Sequence, residues 1–271
     1  MKNVREPAVA GMFYPASASE LQDEVQKLLS ENKPKEIFEN AIGIVSPHAG
    51  YVYSGRTAAF AFNAIGQKKY KTVVIISPSH REYFAGISIY NGDAYKTPLG
   101  EVPINKEMRY ELVLDSKFIF NGMNGHRNEH AVEVQIPFLQ MVLNNFSIVP
   151  IVMGDQNKMC INELSKRLAG VMDDETLIIA SSDLSHFYSK EQADKRDSIV
   201  EKRIAEFDYE NFEKDLETGK CEACGGGPIV AMMKTAYLLN KKKSRILSRT
   251  DSGDVTGDNS EVVGYLSAVL F

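Results

Sequence analysis

Three of the five histidines in this 271-residue chain stand at the same place relative to an apolar run. His48 closes AIGIVSPH, His80 closes TVVIISPSH, and His186 closes LIIASSDLSH, which also supplies Asp183. Imidazole is the commonest metal ligand and the side chain whose unperturbed pKa lies nearest neutrality, so the set points to metal ligation or acid-base work. Two imidazoles and one anionic donor with open positions suit non-heme Fe(II) binding oxygen and substrate together. Zinc hydrolase sites use similar donors around an open fourth position. Asp183, Glu129 and Cys224 are the candidates for the anionic donor. Asp183, three residues before His186, serves equally to orient a histidine. Glu129, beside His130 in the polar loop GMNGHRNEH, serves equally to complement the N-terminus of the helix that follows.

Cys224 ends a CxxC with Cys221 and precedes Gly225-Gly226-Gly227-Pro228. Without a second CxxC a structural zinc site is not indicated. Standing in front of a helix N-terminus, the Cys224 thiolate should be favoured, and the glycines permit close backbone approach to a ligand. Nucleophilic attack on a carbonyl by Cys224 with His186 as base is a further chemistry open to these residues. Cys160 falls in an apolar helical pattern and reads as core. Tyr51 and Tyr53 follow His48 and are placed to line a substrate pocket or to pack on Phe13 and Tyr14; with Glu129 and His130 they are the candidate pocket residues.

The elements that must position these groups follow from the patterning. Apolar, β-branched runs at 41–46, 72–77, 147–153 and 177–181 read as strands buried on both faces, the signature of a parallel sheet. In such sheets ligands bind beyond the carboxyl ends of the strands, where the three histidines stand. Helical spacing predicts helices at 18–32, 55–66, 105–114, 131–144, 158–172, 190–207, 209–218 and 228–239. The first two buried strands and the helix between them make a βαβ unit, with His48 and His80 at one sheet edge. Residues 1–16 read as irregular, 86–104 as a hairpin insertion, and 245–250 and 262–271 as closing strands around the loop SGDVTGDNSE. No linker stands out, so a single α/β domain over 1–271 is expected, a central, largely parallel mixed sheet flanked by helices.

A net charge of −5 with both signs interspersed provides no footprint for nucleic acid. Three cysteines argue against a disulfide framework and for a reducing compartment. The first residues lack the apolar core of a signal peptide, and no apolar stretch approaches the roughly 20 residues needed to span a bilayer. A cytoplasmic protein without membrane contact is expected.

The stretches REPAVAGMFYP, SPHAGYVYSG, SPSH, NEHAVEVQIPFL, SSDLSHF and CGGGP, in this order across essentially the whole chain, resemble the Memo family, whose prokaryotic members are also called AmmeMemoRadiSam system protein B. The resemblance implies a fold similar to class III extradiol dioxygenases of the LigB type. It also implies His48, His80 and Cys224 as ligands of a mononuclear iron or copper, His186 as an acid-base histidine, and Asp183 as its site neighbour. Those dioxygenases use two histidines and a glutamate. The cysteine here shifts preference towards softer ions and alters the redox behaviour of iron. The expected function is therefore a metal-dependent redox protein, with a non-catalytic metal- or peptide-binding module as the alternative and a Cys-His hydrolase as a third reading. A small-molecule or peptide ligand is expected, and the family name implies a radical-SAM protein and an AMMECR1-like protein as partners.

Overall fold

The computed structural model describes residues 2–66 and 70–271. In chain order its elements are β1 (Val4–Arg5), α1 (Ala18–Glu31), β2 (Gly43–Ser46), α2 (Tyr51–Ala64), β3 (Thr72–Pro78), β4 (Ile87–Tyr90), β5 (Ala94–Thr97), β6 (Gly100–Pro103), α3 (Lys106–Val113) and β7 (Ile119–Gly122). A 3-10 turn (Glu133–Gln135) leads into α4 (Ile136–Val142), β8 (Ser147–Met153), α5 (Lys158–Val171), β9 (Thr176–Ser181) and β10 (His186–Tyr188). The chain closes with α6 (Lys190–Ala205), α7 (Tyr209–Glu217), α8 (Gly226–Leu238), β11 (Ser244–Asp251), α9 (Gly253–Thr256) and β12 (Val262–Leu270). Among the described residues no helix is long and apolar enough to cross a membrane.

The main sheet runs β10-β12-β2-β9-β3-β8-β4-β7, with β11 on β12. Its centre, β2-β9-β3-β8, is parallel, and antiparallel pairings at β12 and β4 make the sheet mixed. Alternate residues of each central strand enter opposite cores, as the period of two requires. Val73 and Ile75 join the layer under α1, α2 and α4, while Val74 and Ile76 join the layer under α5, α6 and α8. Apolar side chains on both faces are what make these runs continuous in sequence.

Three local differences from the sequence reading have physical causes. β9 is inserted between β2 and β3, so the βαβ unit spans one extra strand position. α2 begins at Tyr51 rather than near Gly55, because the Gly50 carbonyl accepts from the backbone N–H of Tyr53 and Ser54 and starts the helix there. Gly55 then lies inside the helix, where a Cβ would strike Leu28 of α1. Residues near the N-terminus are also not wholly irregular: Val4 and Arg5 pair with Ala94 and Tyr95, adding β1 to the β5-β6 hairpin as a separate three-stranded sheet.

Candidate metal centre

Because β2, β9 and β3 are neighbours, their carboxyl ends deliver His48, Asp183 and His80 to one sheet edge. Cys224 arrives from the turn before α8. Its backbone N–H donates to the Asp183 carbonyl and the Asp183 N–H to its Sγ, each at 3.2 Å. A Cβ at Gly225 would collide with the Ser181 carbonyl oxygen and Ser182 Cβ, so this seat requires glycine. The space at the three glycines is taken by the protein itself: the Ser181 backbone at Gly225, the Leu216 side chain at Gly226 and the Gln156 side chain at Gly227. Gln156, just past β8, holds the far side of the turn. Its Nε2 donates to the Cys224 carbonyl at 2.9 Å, and its Oε1 accepts from the Gly227 N–H at 2.8 Å.

The donors converge. His48 Nε2 lies 3.2 Å from Cys224 Sγ. One ligand atom from each of His48, His80 and Cys224 lies within 4.8 Å of the other two. Hydrogen bonds fix the tautomers. His48 Nδ1 is 2.9 Å from Ser181 Oγ, a hydroxyl that donates to the Ala131 carbonyl at 2.7 Å and accepts from Gln135 Nε2 at 2.9 Å. With that proton engaged, His48 Nδ1–H is the donor and the Nε2 lone pair faces Cys224. His80 Nδ1 lies 3.0 Å from Glu129 Oε1, and a carboxylate only accepts, so Nε2 is again the atom with a lone pair to offer. Acceptors behind each imidazole are what orient metal-ligating histidines.

Glu129 is fully engaged in this task. Its oxygens also accept from the backbone N–H groups of His80, His130 and Ala131 at 2.6, 2.9 and 3.0 Å. Burial alone would raise its carboxyl, but contact with His80 and His130 outweighs that and holds it down to about 2. His80, Glu129 and His130 form a second group with close ligand atoms. His130 Nδ1 is 3.2 Å from Glu129 Oε1 without hydrogen-bond geometry, leaving it a buried, unpaired nitrogen. Its ring stacks on His80 at 4.8 Å and meets His48 edge-on at 5.4 Å.

Burial governs the titration of His48, His130, Asp183 and Cys224. It lowers His48 well below the imidazole range, with His80 adding to the effect, and lowers His130 to about 4 with help from His48. It raises Asp183, and it raises Cys224 with Asp183 adding to the shift. The expected helix-favoured thiolate is therefore opposed by desolvation; a bound cation is what would draw the proton off. Neutral imidazole nitrogens and a buried thiol aimed at one point are a donor set that fits a soft or borderline metal ion.

His130, Asp183, His186 and Tyr53 line a cleft of about 560 Å³. Tyr51 turns away into the core, its hydroxyl donating to the Val134 carbonyl and its ring packing against Phe138 and Tyr14. Glu129 is buried behind His80. Cys160 and Cys221 are core residues. Ser181, Gln135 and Gln156 were not singled out in the sequence, where nothing local marks a serine or glutamine as a site anchor. Neither was Glu133, which is wholly buried. It accepts from Arg5 Nη1 at 2.5 Å, Tyr14 Oη at 2.6 Å and the Ala8 and Val9 N–H groups. That junction straps residues 5–14 across the site, where Phe13 packs on His130 and its carbonyl accepts from the Tyr51 N–H.

The profile of Memo-like proteins matches residues 5–269. The chain is 38% identical over 98% of both lengths to the MEMO1 family protein TV1383 of Thermoplasma volcanium. It is 37% identical over the full length of both chains to MJ0403 of Methanocaldococcus jannaschii, and 40% identical over 98% of both chains to Ta0237 of Thermoplasma acidophilum, also MEMO1 family proteins. Among solved structures, the uncharacterized protein JW3007 from Escherichia coli K12 superposes with a TM-score of 0.58 at 13% identity, covering 84% of this chain and 99% of that one, which shows a shared fold. The chain belongs to the Memo family.

Proposed function

We propose that this Memo-family chain is a redox protein holding one iron or copper ion between His48, His80 and Cys224. The observation that carries the reading is the convergence of three donors within 4.8 Å, with both histidines presenting Nε2 because Ser181 and Glu129 occupy Nδ1. When bound, the ion would supply Lewis-acid polarisation and one-electron exchange to a small substrate. The chain's own groups divide the remaining work. His48 is shut off from solvent, whereas His80 is partly exposed. Asp183 receives the His48 N–H at 2.7 Å and anchors Cys224 through its backbone, so one residue positions two donors. His186, half-buried on the cleft wall, is the group placed to move a proton between substrate and solvent.

The 3.2 Å approach of Cys224 Sγ to His48 Nε2 supports a second reading, Cys-His nucleophilic catalysis with His48 in place of the expected base His186. Burial of both groups favours the neutral pair over the thiolate-imidazolium pair that such chemistry needs, so the metal reading is preferred.

Elemental analysis of protein purified without oxygen tests the proposal. Near-stoichiometric iron or copper is expected in the wild type and its loss in His48→Ala and Cys224→Ala, with circular dichroism unchanged. A wild type that stays empty after reconstitution, or a His48/His80 double alanine variant that keeps its full metal, would overturn it. Sustained oxygen consumption separates a redox enzyme from a metal-binding module without turnover.

A further inference from the structure

The cleft beside these donors has a lip that the metal reading does not use. Met12, Val52 and Phe187 are 72%, 65% and 71% exposed around it, and Tyr53 forms part of its wall. Isolated exposed apolar residues are ordinary, but several clustered on one concave rim mark a binding surface. Phe187 is the most telling. It stands at φ 62, a left-handed conformation that costs a bulky residue about 1–2 kcal/mol. It does so where the β10–β12 register slips between His186 and Tyr188. The bulge leaves its aromatic ring facing solvent beside His186, with ring centroids 5.7 Å apart. Phe207 shares the conformation at φ 54, but it follows a helix end and packs against the core, whereas Phe187 faces solvent beside a cleft, where such strain points to a ligand contact.

The charge around the cleft restricts what that something is. Asp258 and Glu261 stand exposed among its lining residues, with Asp183 deeper, and among the described residues no lysine or arginine lines it. Sites for carboxylate or phosphate groups are built from arginine, lysine or free backbone N–H groups.

We infer that the cleft takes a small molecule with an aromatic body and a cationic or uncharged polar head, that Phe187 covers its ring, and that Asp258 and Glu261 discriminate against anions. This rests on the metal reading only for its purpose, the delivery of a substrate to the donors. Calorimetric titration of the protein as purified tests it with three probes of one shape: 2-phenylethylamine, 2-phenylethanol and 3-phenylpropanoate. The amine should bind about tenfold more tightly than the carboxylate, with the alcohol between them. Phe187→Ala should weaken amine and alcohol alike, by about tenfold. The Asp258→Asn/Glu261→Gln double variant should reduce the amine to the level of the alcohol and leave the alcohol unchanged.

Carboxylate binding as tight as amine binding, amine affinity indifferent to Phe187→Ala, or no binding of any probe at millimolar concentration would each overturn the inference. Elemental analysis of the same samples separates the two readings. Phe187-dependent amine binding to protein that takes up no metal sinks the metal reading alone, and a metal-loaded protein deaf to all three probes sinks this one alone.

Discussion

The donor floor and the lip of the cleft that adjoins it are built on opposite plans. On the floor every donor is fixed from behind by buried groups: His48 by Ser181 and Asp183, His80 by Glu129, and Cys224 by Asp183 and Gln156. Ser181, Asp183 and Gln156 stand at or just past the ends of β9 and β8 in the parallel centre of the sheet, and Glu129 comes from the buried end of the loop before the 3-10 turn. Apart from Val52 and Tyr53 on the first turn of α2, the lip is made of irregular segments: the strap at residues 5–14, the bulge at Phe187 and the segment 252–261. Its apolar side chains face solvent. A site needs preorganisation where an ion or reacting atom must sit and adaptability where a ligand is admitted, and rigid scaffold and loop supply them separately.

The strap joins the two regions, so the largest effect is expected there. Glu133→Ala would leave Arg5 buried and uncompensated, and urea denaturation should show a loss of about 3–5 kcal/mol. A loss below 1 kcal/mol would mean that the strap is a passive cover rather than part of the cooperative structure.

Next in size are two opposed pH effects at the roots of the lip. His126, whose carbonyl accepts from Arg5 Nε at 2.7 Å, is pushed down to about 3, chiefly by burial. Unfolded it titrates near 6.5, so the unfolded chain gains the proton first and stability falls as pH drops from about 6.5 towards 3. Asp197, which accepts from the Ser185 N–H at 3.1 Å below β10, is pushed up to about 6 by burial. Unfolded it titrates near 3.9, so the folded chain holds the proton more tightly and stability falls as pH rises from about 4 to 6. His48 and His130, also lowered by burial, titrate in the same sense as His126, so Asp197 offsets only part of the histidine limb between pH 4 and 6. Asp197→Asn should steepen the rise in stability from pH 4 to 6 by about 2 kcal/mol relative to the wild type; an unchanged profile would show that Asp197 does not carry the opposing limb.

On the floor, removing an anchor should cost metal affinity rather than fold. Gln156→Ala is expected to weaken metal binding by about 10–100-fold in competition with a chelator, with the unfolding midpoint nearly unchanged. Equal losses of affinity and stability would erase the distinction between an orienting shell and ordinary core.

How much of this was legible in the sequence follows the same division. The floor's strands announced themselves, because a strand buried on both faces must be written as an unbroken apolar run and the chemistry follows at its end. The α/β class, the mixed sheet and most helices came from such local periodicity. The insertion of β9 between β2 and β3 did not, since strand order is fixed by contacts across more than a hundred residues. Nor did the Arg5–Glu133 junction, whose partners are 128 residues apart, or Gln135 and Gln156, which look like surface glutamines until the fold buries their amides. The start of α2 at Tyr51 is hidden for a local reason: Gly50 opens the helix with its backbone carbonyl, and no side-chain cap advertises it.

The smallest effect is also the one that separates the two plans most cleanly. Phe187 pays for its outward ring with a left-handed backbone worth about 1–2 kcal/mol. Glycine adopts that conformation freely but loses about 0.5–1 kcal/mol more chain entropy on folding. With the ring exposed and little packing to forfeit, Phe187→Gly should leave the protein slightly more stable, by about 0.5 kcal/mol, in thermal or urea unfolding. No floor residue offers such a gain, because each is held in place by bonds that its removal would strand. A clear destabilisation by Phe187→Gly would mean that the ring serves the fold, and the lip would then be scaffold like the floor.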